Sequence, residues 1–164
     1  MIAAVTNEAG ALQGVHRTWL GSNGQAKAAV DTPRRAMGHL LGNAVRIAPA
    51  DQTLVLGEGI ETMLSVREAA PSLPVWAALS SGHLGAVLLP DGLQRLYIAI
   101  DRDPAGQRAA EKLTARATEA GIAVRVLEPR LGDFNDDLRA HGAAALRQHL
   151  AKQIDLKDQY RLTI

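Results

Sequence analysis

Apolar residues recur along this chain in two rhythms. In the first thirty positions they form short runs broken by polar residues: Ile2 to Thr6, the turn residues Asn7-Glu8-Ala9-Gly10, then Leu12 to Leu20. Two β-prone runs around a turn predict a hairpin. A second turn, Gly21-Ser22-Asn23-Gly24, leads into Lys27 to Val30, which extends the hairpin to an antiparallel meander. From Asp31 to Ala50 proline, glycine and arginine interrupt any period, so this stretch reads as a connector with one helical turn around Arg35 to Leu41.

Beyond Asp51 the rhythm changes. Thr53 to Leu56 reads as a buried strand, Ile60, Met63, Leu64 and Ala70 recur at helical spacing, and Val75 to Leu79 forms a second strand. Leu84 to Leu89 predicts a short helix ended by Pro90-Asp91-Gly92, and Leu96 to Ile100 a third strand of the central, apolar kind. Ala109, Ala110, Leu113, Ala117 and Ala120 share one face of a helix over 105–120, which Gly121 stops. Ile122 to Leu127 is a fourth strand, and a last helix runs within Asp137 to Ile154. Strands alternating with helices predict an α/β fold, here a four-stranded parallel sheet flanked by helices and preceded by a small antiparallel β subdomain. The expected divisions are a basic, strand-rich segment 1–50, the α/β domain 51–154 and a tail 155–164.

A chain of 164 residues buries roughly two thirds of its unfolded surface without disulfides or a structural metal. Cysteine is absent, which excludes a disulfide scaffold, a thiolate nucleophile and a cysteine-ligated zinc module within this sequence. No apolar run is long enough for a membrane span, and the expected location is cytoplasmic. Net charge is only +1, but it is unevenly placed. Residues 1–50 carry Arg17, Lys27, Arg34, Arg35 and Arg46 against Glu8 and Asp31, whereas Asp133, Asp136 and Asp137 crowd one later loop. A basic front beside acidic clusters suits a protein that holds a polyanion through metal ions.

In open parallel sheets, ligands bind outside the carboxyl ends of the strands. That rule turns scattered acids into a candidate site. The first parallel strand ends at Gly57-Glu58-Gly59, the third at Asp101-Arg102-Asp103, and the fourth leads to Asp133-Phe134-Asn135-Asp136-Asp137. Carboxylates gathered there repel one another unless cations or raised pKa values neutralise them. Mg²⁺, a hard cation with oxygen ligands, is the economical answer, and two such ions can clamp the oxygens of a phosphoryl transfer. Gly59 is expected to turn the chain sharply into its helix, and Gly106 to give close approach beside the acids, behind Pro104 at a first helical position.

These segments, Leu56-Gly57-Glu58-Gly59-Ile60-Glu61-Thr62, Ile100-Asp101-Arg102-Asp103-Pro104-Ala105-Gly106 and Gly132-Asp133-Phe134-Asn135-Asp136-Asp137-Leu138, resemble the Toprim domain of topoisomerases and bacterial-type primases. The variant is similar to primase-related Toprim proteins carried by plasmids, phages and integrating elements. Upstream, Gly14-Val15-His16-Arg17-Thr18-Trp19-Leu20 and Gly24-Gln25-Ala26-Lys27 resemble the basic segment that precedes Toprim in replicative primases. The resemblance implies Glu58 as metal ligand and general acid or base, Asp101 and Asp103 as a metal-binding and catalytic pair, and Asp133 as the first acid of a later cluster. It implies Mg²⁺ or Mn²⁺ as cofactor. Asn135 stands where many primases have a second aspartate, leaving Asp136 as the nearest ligand, and Thr62 stands where they have an acid, with Glu61 beside it. The loop Ser80-Ser81-Gly82-His83 falls where primases approach the nucleotide, which makes Ser81 a candidate contact.

The function this implies is metal-dependent nucleotidyl transfer on nucleic acid as a primase-type catalytic domain, part of a larger protein or complex. Its partners would be single-stranded DNA or RNA, nucleotides, and a zinc-finger or helicase module elsewhere; Arg17, Lys27, Arg34, Arg35 and Arg46 are the candidate phosphate contacts. The alternatives are a Toprim nuclease, or a binding or assembly module without turnover. Other features read blandly. Tyr97 is taken as sheet packing, Trp19 as packing its hairpin with stacking on a base as the alternative, and Ser81 with His83 as a polar loop lacking a nucleophile elbow. A dinucleotide fingerprint fails because Thr62 replaces its third glycine and Glu58 would repel a pyrophosphate. A dehalogenase-like phosphatase explains Asp101 and Asp103 but not Glu58.

Overall fold

A computed structural model describes residues 1–24 and 26–163. Gln25, within the Gly24–Lys27 stretch, and Ile164 lie outside the described residues. The first three strands, β1 (Ile2–Thr6), β2 (Leu12–Thr18) and β3 (Arg34–Gly38), form an antiparallel sheet in that order. The predicted hairpin is therefore present, but its third partner is different. Lys27 keeps only an isolated bridge to Leu20, and Arg34–Gly38 is extended where one helical turn was expected. Steric fit decides this pairing. Gly14 faces Gly38, and a Cβ on Gly14 would lie 2.5 Å from the Met37 carbonyl oxygen, so only two glycines let the strands approach there.

The connector also supplies a short strand, β4 (Val45–Arg46), which opens the second sheet. That sheet continues with β5 (Thr53–Gly57), helix α1 (Ile60–Ala69), β6 (Val75–Ala77), α2 (Ser81–Leu84), β7 (Arg95–Ala99), α3 (Pro104–Glu119), β8 (Ala123–Leu127) and α4 (Phe134–Ala151). The spatial order is β4-β6-β5-β7-β8; β6, β5, β7 and β8 run parallel and β4 pairs antiparallel at the edge. The four-stranded parallel sheet is thus as expected, widened by one strand from the connector. Alternation along β5 and β7 divides the core. Val55 and Tyr97 pack with Met63 and Val66 of α1 and Leu146 and Leu150 of α4, whereas Leu54, Leu56, Leu96 and Ile98 pack with Leu113 of α3.

Three local expectations need correction. The short helix is Ser81–Leu84 rather than Leu84–Leu89, because the Ser80 hydroxyl accepts a hydrogen bond from the His83 amide at 3.2 Å and caps it early. The last helix starts at Phe134, capped by Asp133, and is broken at Gly142, whose φ of 78° no ordinary helix residue adopts. The expected tail is instead a packed 3₁₀ helix, η1 (Leu156–Leu162), with Asp158 and Leu162 buried. Among the described residues no helix is long and apolar enough to cross a membrane.

Candidate functional site

Parallel register sets the site. Gly57 pairs with Ala99 and Ala99 with Leu127, so three strands end level at one edge of the sheet. The chain immediately beyond carries Glu58, Asp101 and, after a loop, Asp133. These three side chains line one cleft of about 480 Å³, together with Asn135 and, from the small sheet's side, Lys27 and Arg34. Glu61 of α1 lies across it and binds both cations, Lys27 at 3.6 Å and Arg34 at 4.0 Å, which links the N-terminal sheet to the parallel one.

The carboxylates perturb each other as crowding predicts. Burial, then the charges of Glu58, Asp133 and Asp103, push the Asp101 carboxyl up to about 6. Its Oδ1 is buried without a hydrogen-bond partner. Burial, then Asp103, also raises the Glu58 carboxyl, and the Ser81 backbone amide and Arg34 offset this only in part. Beneath the cleft the His16 imidazole is held below its ordinary value by burial, with Lys27 and Arg34 opposing and Glu61 favouring its charge.

Not every predicted acid faces the cleft. Asp103 is the N-cap of α3 and accepts from the Gly106 amide at 2.7 Å; Asp133 lines the cleft while its Oδ1 accepts from the Asp136 amide at 2.7 Å. Asp136 is exposed and outside the cleft lining. Asp137 is buried and accepts from the Arg130 and Leu131 amides at 2.8 and 2.9 Å, so it pins the loop that presents Asp133. Among the described residues no three carboxylate or imidazole side chains form a ready-made ligand cluster.

The two glycines differ in role. A Cβ on Gly106 would lie 2.7 Å from the Asp101 carbonyl oxygen, so the expected close approach is real. Gly59 caps α1 in ordinary extended geometry, φ −83° and ψ 143°, and supplies no unusual turn. The unusual backbone is Leu79, whose φ is 79° and whose amide donates to the Glu58 carbonyl at 2.8 Å. Sequence reasoning missed it, because nothing in a leucine signals a left-handed position. Ser81, at the start of α2, borders the site through its backbone amide rather than its hydroxyl.

The basic residues divide into three groups. Lys27 and Arg34 face the acids, and Arg139 of α4, which sequence reasoning missed, lines the same cleft. Arg17 and Arg35 are cross-strand partners on the opposite face of the small sheet. Arg46 stands apart, stacked 4.0 Å from the Trp76 ring and donating to the Glu8 carbonyl, which makes it a packing residue.

Comparison with known proteins agrees with this architecture. Residues 53–144 match the family model of the Toprim domain, and residues 1–47 match a domain of unknown function. No curated protein sequence matches the chain. Among solved structures it is similar to a DNA primase domain from Pseudomonas aeruginosa, at 17% identity and a TM-score of 0.64 over 97% of this chain and 52% of that one. It is also similar to the primase fragment of the bacteriophage T7 primase-helicase protein, at 18% identity, TM-score 0.67, over 94% and 61%. The Aquifex aeolicus primase with its zinc-binding and RNA polymerase domains gives 18% identity and TM-score 0.65 over 94% and 40%. The chain therefore spans between two fifths and about three fifths of the primase chains it resembles.

Proposed function

Because the chain belongs to the Toprim family over residues 53–144, we propose that it carries out metal-dependent nucleotidyl transfer on nucleic acid in the manner of a primase catalytic domain. The observation that carries this is the convergence of Glu58, Asp101 and Asp133 on one cleft, with Asp101 Oδ1 buried and unpartnered, opposite Lys27 and Arg34. An orphaned carboxylate oxygen among mutually repelling acids is a donor set suited to a hard divalent cation. Glu58, Asp101 and Asp133 would hold Mg²⁺ or Mn²⁺, with Asp103 contributing charge beside them. A bound divalent ion supplies charge neutralisation for the phosphates and for the oxygens exchanged at phosphorus.

The chain's own groups do the rest. Lys27 and Arg34 bind nucleotide or template phosphates, and Glu61 keeps both in place. Glu58, whose carboxyl burial and Asp103 raise above its ordinary range, is the group placed to move a proton at the reacting oxygen. Arg17 and Arg35 extend the phosphate-binding surface, and the zinc-binding or helicase function belongs to another module. A second reading, a nucleic-acid-binding module without turnover, is favoured by Asn135 in the cleft and by the cap hydrogen bond that occupies Asp133.

Template-directed incorporation of labelled nucleotides on single-stranded DNA, with Mg²⁺ or Mn²⁺, separates them. Product in the wild type that disappears in Asp101→Asn supports transfer. Oligonucleotide binding with no product under either metal supports the binding module. Equal product from both proteins excludes the acid cleft as the catalytic centre.

A further inference from the structure

We infer that the outer face of the small sheet is a subsite for one unpaired nucleotide of a single strand, its base on Trp19 and its phosphate between Arg17 and Arg35. This rests on the nucleic-acid reading above and adds to it a residue and a position. Arg17 pairs directly with Arg35 across β2 and β3, so both guanidinium groups leave the same face of the sheet. Like charges directly opposite destabilise a sheet. Among the described residues neither forms an ion pair; the salt bridges of this region use Lys27 and Arg34 on the other face. Arg17 lies over the Trp19 ring at 4.6 Å, and its Nε is buried without a partner.

Trp19 itself is 51% exposed, whereas Trp76 is 2% exposed. The expectation that Trp19 packs its hairpin is therefore not met. It lines a groove of about 440 Å³ with Arg17, Arg35, Leu20, Val30 and one acid, Asp31, so two guanidinium groups face a single carboxylate there. A side-by-side cation pair next to an exposed aromatic ring matches the two chemistries of a nucleotide unit, an anionic phosphate and a base that stacks regardless of its identity. Continuity with the acid cleft fixes the occupant as a strand. Leu20 lines both the groove and the cleft, so a chain leaving Lys27 and Arg34 crosses Leu20 to reach Trp19.

The test is titration of the full chain with a labelled oligothymidylate, following anisotropy and tryptophan emission together. Because Trp76 is buried, a change in emission reports Trp19. Quenching that saturates with anisotropy is expected. Trp19→Ala should weaken binding roughly 5- to 150-fold, the range for losing one base stack. Arg35→Ala should lower the slope of log affinity against log salt by about 0.7, one phosphate contact on a single strand. Arg35 is exposed, so this arm and the wild-type quench stand even if Trp19→Ala folds poorly. Unchanged emission at saturating anisotropy, or wild-type affinity and salt slope in Arg35→Ala, overturns the subsite. If Lys27→Ala and Arg34→Ala still weaken binding in that case, the cleft reading survives alone. Emission that changes with protein concentration and sedimentation as a dimer would assign the face to a second copy and overturn the subsite too. No oligonucleotide binding at low salt with Mg²⁺ removes both readings.

Discussion

The Tyr97 hydroxyl donates to the Asp158 carboxylate across 2.8 Å, tying the central parallel strand to the last turn of the chain. Arg95 holds the same carboxylate through Nε at 2.7 Å and a terminal nitrogen at 3.0 Å, and the Thr53 hydroxyl donates to it at 3.3 Å. Thr53 and Arg95 open their strands, so this network sits at the edge of the sheet opposite the acid cleft. Burying a carboxylate is costly unless it is paired and hydrogen-bonded, and here both conditions are met. Asp158→Ala should destabilise the fold by about 3 kcal/mol, measured by urea unfolding, because it leaves the Arg95 guanidinium without its partner. Its metal response, compared at equal fraction folded, should match the wild type.

The same network has a pH signature. Burial alone would raise the Asp158 carboxyl, but hydrogen bonds from Arg95, Tyr97 and Thr53 outweigh it and hold the group below the ordinary range. A carboxyl depressed in the folded state contributes stability that is present above its unfolded pKa, about 3.9, and is lost as pH falls through the depressed value. The stability gap between wild type and Asp158→Asn should therefore be constant from about pH 5 to 7 and should shrink steadily below about pH 4. Urea midpoints at several pH values measure it. A gap that grows on acidification would mean the carboxylate is not held ionised.

Two helix glycines should respond to alanine with opposite sign. At Gly106 a methyl group would press on the Asp101 carbonyl, a backbone atom that cannot rotate away, so Gly106→Ala should cost about 1–3 kcal/mol and disturb Asp101. At Gly82 the nearest atom to a Cβ is the Ser80 hydroxyl oxygen at 3.9 Å, and the helical backbone gains propensity. Gly82→Ala should be neutral or stabilising by up to about 1 kcal/mol. Thermal melts of the two variants side by side check this.

What could be read from the sequence follows the range of the interaction. The parallel strands and α1 and α3 declare themselves through local apolar periodicity, and the rule that ligands sit at strand ends is enough to group Glu58, Asp101 and Asp133 from residue order alone. Asp103 and Asp133 read from the sequence only as site acids, whereas the fold also makes each a helix cap, and an oxygen that caps a helix is partly withdrawn from the cleft. Pairings across long separations were not legible. Arg34–Gly38 has no β-prone composition and is a strand because Gly38 fits against Gly14; Asp158 looks like any tail residue until Arg95 and Tyr97 close around it. Trp19 and Trp76 are indistinguishable as letters, and only the fold leaves one exposed and buries the other.

The sharpest prediction concerns Asp101, because it tests the acid cleft without requiring turnover. Its carboxyl is pushed up to about 6 by burial and by Glu58, Asp133 and Asp103, so at neutral pH the ionised folded form carries repulsion that the unfolded chain does not. Asparagine keeps the shape and removes the charge. Asp101→Asn should therefore raise the stability of the metal-free protein, by about 1 kcal/mol once solvent screening is allowed for. A divalent ion that binds only the folded site at about 100 times its Kd adds about 2.7 kcal/mol, which for a chain of this size raises the melting midpoint by roughly 5 to 10 °C. The wild type should show that rise with Mg²⁺ or Mn²⁺, and Asp101→Asn should lose most of it while keeping its higher metal-free midpoint. An isolated surface aspartate would change stability by no more than about 0.5 kcal/mol and leave the metal response intact. Equal metal-induced shifts in the two proteins would mean that Asp101 is not a ligand, and the cleft would then have to act on phosphates through its cations, Lys27, Arg34 and Arg139.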